Sequence, residues 1–258
     1  MSDREAESIY VLFWLYRATP DWRRLPIAER EAGRAEFAAA LQGRHGDLIL
    51  RGAYSMVGLR HDADLLLWLH GPDLGQAQDL AAALRRTTLG SYVEEAYIYT
   101  GIVPQSRYAP EHRPAFVKGA LPLTYLSMYP FVKTQEWYLL PFEQRRALMA
   151  EHGKMGQAHS AMPEVRIETA GAAGAHAVAV VAEAPAATPT GGVLANTIHS
   201  FGLGDQEFVV AFESDDPAQL EHMVEDLRAA EVRRYTSIDT PVFLGRRKEV
   251  RAALADLG

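Results

Sequence analysis

The sequence predicts an α+β fold in which two ferredoxin-like units, each β-α-β-β-α-β, follow one another and join as a dimeric α+β barrel-like subunit. Three observations predict it. Apolar runs with strand period and helix period recur in the same order in the two halves. A first-half segment, "GLRHDADLLLWLHGPDLGQAQDLAAALRR", matches a second-half one, "GLGDQEFVVAFESDDPAQLEHMVEDLRAA": a Gly-Leu pair, an apolar strand, an acidic helix start. Between the halves runs "VPQSRYAPEHRPAFVKGALP", rich in proline and polar residues, as a connection should be. The halves are set at 1–103 and 122–258, with the linker at 104–121.

Each element follows from its pattern. Residues 9–16, "IYVLFWLY", are β-rich and read as a strand. Residues 27–41 carry apolar positions at helical spacing. "LILRGAYSMVGL" and "ADLLLWLH" are two strands joined at a Gly58 turn. "GPDLGQAQDLAAALRRT" is a helix, and "SYVEEAYIYTGI" alternates strictly, as a strand does. The second half repeats the order. "LTYLSMYPFV" is a strand, and Pro141 opens a helix running to about Gln157. "VLANTIHSFGL" and "QEFVVAF" are strands. "DDPAQLEHMVEDLRAAE" is a helix whose acidic start and Arg228 near its end suit the helix dipole. "RRYTSIDTPVFLG" reads as one closing strand. Two such units side by side give a continuous sheet with helices outside. Residues 167–192 break the symmetry. They are rich in alanine, glycine and proline, and read as an inserted flexible loop.

Composition bounds the function. The 258 residues are 48% hydrophobic and 23% charged, an ordinary globular balance. A net charge of −7 argues against a nucleic-acid partner. The absence of cysteine excludes disulfides, zinc–thiolate sites and iron–sulfur clusters, and fits a reducing compartment. The apolar run near the start is too short to span a membrane, and no cleavage site follows the charged N-terminus. The expectation is a cytoplasmic protein without a membrane span.

Two segments could carry chemistry. At period two, Tyr125, Ser127, Tyr129, Phe131 and Lys133 share one strand face. That face is either the wall of a pocket with a charged mouth or an exposed or subunit-contacting sheet surface. Leu148, Met149, His152 and Met155 share one helix face. A lone histidine there is either a satisfied core residue or a ligand. No HExxH motif supports a multidentate metal site, whereas an axial ligand to haem needs one histidine only. His61, His70 and His222 read as solvated, and His45 lies in a polar turn. His112, in the linker segment "PEHRPAF", precedes an apolar anchor at Phe116 and Val117. No P-loop, GxGxxG, GxSxG or paired-carboxylate motif is present, and the glycines of "TGIVP" and "FGLGDQ" read as turn glycines.

Four segments carry a resemblance: "YPFVKTQEWYLLPFEQRRALMAEHGKMG", "ANTIHSFGLGDQEF", "EVRRYTSIDTPVFLGRR" and "RGAYSMVGLRHDADLLLWLH". They closely resemble the coproheme decarboxylases of actinobacterial kind, in the chlorite dismutase superfamily, from about residue 9 to residue 248. The resemblance implies a homopentamer of two-half subunits. It also implies that hydrogen peroxide drives oxidative decarboxylation of two propionates of iron-coproporphyrin III, giving haem b. A transient contact with a coproporphyrin ferrochelatase follows from it too. By resemblance, His152 is the proximal iron ligand, and Tyr129 passes a hydrogen atom from the propionate. Lys133 holds a propionate where actinobacterial members more often have arginine. Trp137 stands near the porphyrin edge or simply packs. On the distal strand Ala195 takes the place of the arginine or glutamine of other members, with Arg166 as the other alignment, and His112 serves as the distal base. Two other readings stay open: a chlorite dismutase or peroxidase, and a haem-binding protein without turnover.

Overall fold

The structure, a computed structural model, describes residues 8–103, 113–161 and 192–258. The expected site residues His112 and Arg166, and the expected loop at 167–192 apart from Gly192, lie outside the described residues.

In chain order the first half holds β1 (Tyr10–Ala18), α1 (Pro20–Arg24), α2 (Ile27–Gln42), β2 (Ile49–Ser55), β3 (Leu65–Gly71), α3 (Leu74–Arg85) and β4 (Val93–Ile102). A short 3-10 turn, Ala115–Lys118, precedes the second half. That half holds β5 (Tyr125–Lys133), α4 (Gln135–Leu139), α5 (Phe142–Gln157), β6 (Leu194–His199), β7 (Phe208–Ser214), α6 (Pro217–Arg228), β8 (Thr236–Ile238), β9 (Phe243–Lys248) and α7 (Val250–Ala255). The two matched helices start alike: Asp73 accepts the Gly75 N–H at 2.7 Å, and Asp216 accepts the Ala218 N–H at 3.0 Å.

The duplication is carried into the sheet. The first half orders its strands β4-β1-β3-β2 and the second β9-β5-β7-β6, all paired antiparallel. β2 pairs with β9 and β4 with β6, so the two halves close into an eight-stranded ring. β8 hangs from the end of β5 through Val132 and Lys133.

Closure makes two apolar layers. Phe13, Tyr54, Trp68, Met128 and Phe243 fill the inside of the ring. Trp14, Trp22, Phe37, Leu67, Leu80 and Leu254 pack outside it, under α2, α3 and α7. β1 is apolar without alternation because both its faces are covered, Val11 and Phe13 within and Leu12 and Trp14 without.

Four expectations need correction. The closing strand is two strands, β8 and β9, because Pro241 between them has no N–H for the ladder. α7 follows them where no helix was read. His70 is not solvated: it packs on Phe116 at 5.0 Å, and burial, then the nearby Arg51, holds its pKa down at about 4. Gly101 is not a turn glycine. It sits in β4 at the seam with β6, where a Cβ would meet the His199 carbonyl oxygen at 2.6 Å.

That seam is narrow, with one residue pair among the described residues, Ile102 with His199. Gly101→Ala should therefore destabilise the chain by about 1–3 kcal/mol, as overpacking does, measured by urea unfolding. An unchanged midpoint would show that the seam yields freely.

Candidate functional site

A shift of 115 positions carries Tyr10–Ala18 onto Tyr125–Lys133, Pro20–Arg24 onto Gln135–Leu139 and Ile27–Gln42 onto Phe142–Gln157. Thr19, Trp22, Leu25 and Pro26 find identical residues at Thr134, Trp137, Leu140 and Pro141. Three other positions change character. Trp14, Ala18 and Phe37 are core residues, at most 4% exposed; their counterparts are Tyr129, Lys133 and His152. The residues that α2 buries, Gly33, Phe37, Ala38 and Leu41, correspond to Leu148, His152, Gly153 and Gly156, which are only half-buried. No residue of α5 is fully buried.

What fills the first half explains this. α7 lies between α2 and β2, and its Val250, Ala253 and Leu254 belong to the core there. Among the described residues the second half has no such filler between α5 and β6. The sheet face opposite α5 presents Tyr129 and Phe131 of β5, Val210 and Phe212 of β7, and Ala195 and Thr197 of β6. The register places Tyr129 beside Val210, and Val210 beside Thr197. Ala195 and Thr197 are exposed. The result is a cleft with an apolar floor and a histidine on its helical side.

Polar groups in this setting are perturbed by burial. The Tyr129 ring packs edge-on against Phe212, 6.1 Å between centroids, and burial pushes its phenol up to about 12. Lys133 is 9% exposed. Its ammonium lies 4.4 Å from the Trp137 ring centre and 4.9 Å from that of Phe131, with no carboxylate in ion-pair contact among the described residues. Burial lowers its pKa from 10.5 to about 8. Trp137 is itself buried and tilts against Tyr235 at 5.8 Å, so it both packs and supports Lys133. His152 is held below its ordinary pKa by burial and then by the Lys133 charge. Its Nδ1 is buried with no hydrogen-bond partner among the described residues. A neutral imidazole with a free ring nitrogen suits a metal or a hydrogen-bonding ligand better than plain core.

The structure thus brings together Tyr129, Lys133, Trp137 and His152, with Ala195 on the same sheet face. It adds residues that sequence reasoning passed over. Asp239 pairs with Arg228 and, at 2.9 Å, with Arg233, and these charges act on the Tyr129 phenol. Glu207 accepts the Lys133 backbone N–H at 2.7 Å and fixes the end of β5. The dense "LRAAEVRRYTSID" charges were a signal, read only as a helix-dipole match. The spacing from Arg228 to Asp239 becomes a contact only because a 3-10 turn at Glu231–Tyr235 folds the chain back.

The model of the family described as chlorite dismutase matches residues 5–181 and 183–248. The chain belongs to the chlorite dismutase family. A coproheme decarboxylase of Mycolicibacterium smegmatis (strain ATCC 700084 / mc(2)155) is 31% identical over 251 residues, 96% of this chain and 94% of that one. A mutant chlorite dismutase from Candidatus Nitrospira defluvii superimposes with a TM-score of 0.77 at 22% identity, covering 96% of this chain and 95% of that one. Chlorite dismutase from the same organism in complex with imidazole gives the same TM-score and identity, covering 96% and 94%. These structural likenesses show a shared fold for this family member.

The buried Lys133 ammonium has a stability consequence. Its folded pKa of about 8 lies below the ordinary 10.5, so between these values the unfolded chain binds more protons. Burial cost is therefore fully present below pH 8 and is relieved as pH rises towards 10.5. Lys133→Met should stabilise the ligand-free chain at pH 7, by up to about 3 kcal/mol. The gain should shrink to nothing above that range in thermal unfolding. A gain independent of pH would assign the effect to packing.

Proposed function

We propose that this family member is a coproheme decarboxylase. It takes iron-coproporphyrin III as substrate and hydrogen peroxide as oxidant and releases haem b. The carrying observation is that Tyr129, Lys133 and His152 converge on a cleft that no other described residue fills, at positions where the first half has Trp14, Ala18 and Phe37. An apolar floor, a neutral imidazole and a buried cation fit a tetrapyrrole with carboxylate arms.

Each residue has a task. His152 holds the iron through its imidazole, which burial and Lys133 keep neutral. The bound iron porphyrin supplies the oxidising power of peroxide. Tyr129 keeps its phenolic hydrogen at neutral pH, because its pKa is pushed up to about 12. It gives up that hydrogen atom and takes another from the propionate β-carbon. The propionate then loses carbon dioxide and one electron and becomes a vinyl group. For each propionate, the carboxylate arm, one peroxide and one proton give a vinyl group, carbon dioxide and two waters. Lys133 offers a carboxylate a charge-assisted contact that also offsets its own burial. Ala195 itself offers no side-chain donor, and proton transfer at the peroxide is assigned to His112 of the linker. The same reading carries a homopentamer, a cytoplasmic setting and delivery of substrate from a ferrochelatase. Exposed Val57, Leu59, Phe201 and Leu203 on two matching turns support self-association. Among the described residues no helix is long and apolar enough to cross a membrane.

The deciding experiment mixes the protein with iron-coproporphyrin III, titrates peroxide and follows the porphyrin by mass spectrometry. Successive loss of two carboxyl groups is expected. Rapid oxygen release from chlorite, or a bound porphyrin that peroxide leaves unchanged, would replace the reading with a chlorite dismutase or a carrier. His152→Ala should remove the imidazole-ligated Soret spectrum of the complex; a spectrum identical to the parent's would take His152 off the iron. Tyr129→Phe should bind the porphyrin with unchanged affinity yet form haem b at least about a hundredfold more slowly, since the ring stays and the transferable hydrogen is gone. Normal haem b formation by that variant would defeat the hydrogen-transfer role.

A further inference from the structure

One buried carboxylate that the proposed reaction does not use is held by three side chains from two strands. Glu213, near the end of β7, is fully buried. It alternates with Val209 and Ala211, which face the ring interior, and so points away from the cleft. Arg51 of β2 donates to its Oε2 from Nη2 at 2.6 Å and from Nε at 3.2 Å. The Tyr54 hydroxyl donates to Oε1 at 3.1 Å, and Asn196 Nδ2 of β6 donates to Oε2 at 3.3 Å.

Two of these partners reach on to the linker. The second Nη of Arg51 donates to the Ala120 carbonyl at 2.9 Å. Its guanidinium also lies over the Trp68 and Phe116 rings, 4.9 Å and 5.7 Å from their centres. Asn196 Oδ1 accepts the Phe116 N–H at 3.0 Å. The linker turn is thus held near both ends by side chains that Glu213 itself holds. The turn seats Ala115 against Ala161 and Leu194. Leu194 and Asn196 flank Ala195, the cleft residue of β6. A buried ion pair adds little net stability over apolar packing, but its directional contacts specify geometry.

We infer that Glu213 and Asn196 are positioning residues, which from the inner face of the sheet fix linker residues 115–120 beside the cleft. The clasp stands on geometry alone; its effect on turnover rests on the proposed function.

The test uses the full chain, first without porphyrin. In the parent, the Phe116 amide should exchange hydrogen as slowly as the ring strands. Trypsin should cut after Lys118 at least about tenfold faster in Asn196→Ala and in Glu213→Gln than in the parent, while cutting after the exposed Arg24 changes by less than about twofold. Asn196→Ala keeps the Arg51–Glu213 pair, so it decides the matter if Glu213→Gln fails to fold. A freely exchanging Phe116 amide, unchanged cutting after Lys118 in Asn196→Ala, or equal acceleration at both sites would overturn the clasp. With iron-coproporphyrin III added, Asn196→Ala should keep its porphyrin affinity within about twofold by Soret titration and lose about tenfold in kcat/KM for peroxide. Parent-like peroxide kinetics in a variant whose linker has come free would overturn the positioning role. A parent that does not decarboxylate would instead refute the proposed function, leaving the clasp to be judged by exchange and proteolysis.

Discussion

β5 is hydrogen-bonded along both edges, to β7 and to β9, and the rest of the structure depends on this. A strand paired on both sides cannot slip, and a slip of one residue would exchange its two faces. The register therefore sends Leu126 and Met128 into the ring and leaves Tyr129 and Phe131 outside, towards α6 and the cleft. Pairing of β2 with β9 and of β4 with β6 then turns the duplicated sheet into a closed ring, without exposed edges between the halves. The candidate site sits on the outer wall of that ring.

The two halves apply one architecture to opposite ends. In the first, α7 occupies the space under α2, and the wall residues are ordinary core. In the second no described residue fills the space, and among the described residues its wall carries a lysine without an ionic partner and a histidine with an unsatisfied ring nitrogen. Both features cost stability in the chain by itself, since buried polar groups are expensive unless paired. Such local violations of good packing gather where a ligand completes the structure. A carboxylate against Lys133 and a metal against His152 would remove both costs together.

The duplication, the main helices and the shared faces of Tyr129 with Lys133, and of His152 with Leu148 and Met155, were legible in the sequence because periodicity reports which residues lie on one side of an element. Legibility stopped where the deciding contact was distant. His70 looked solvated by its acidic neighbours, yet Phe116 of the linker covers it. Glu213 reads as an ordinary acidic residue before a helix, yet Arg51, 162 positions away, neutralises it inside the fold. Asp239, Arg228 and Arg233 look like surface charges until the chain folds back beside Tyr129. The break between β8 and β9 had a visible cause in Pro241, but Pro130 lies within β5, so only the sheet order tells which proline ends a strand.

By itself the sequence determined the repeat, the main strands and helices and the change from Trp14, Ala18 and Phe37 to Tyr129, Lys133 and His152, because these are matters of local pattern and residue identity. The tertiary structure alone decided that α7 fills one of two equivalent clefts, that β2 with β9 and β4 with β6 close the ring, and that the linker is clasped from the inner face of the sheet. The reason is physical. Periodicity fixes which side of an element a residue is on, but what covers that side depends on chain segments far away, whose approach no local pattern encodes.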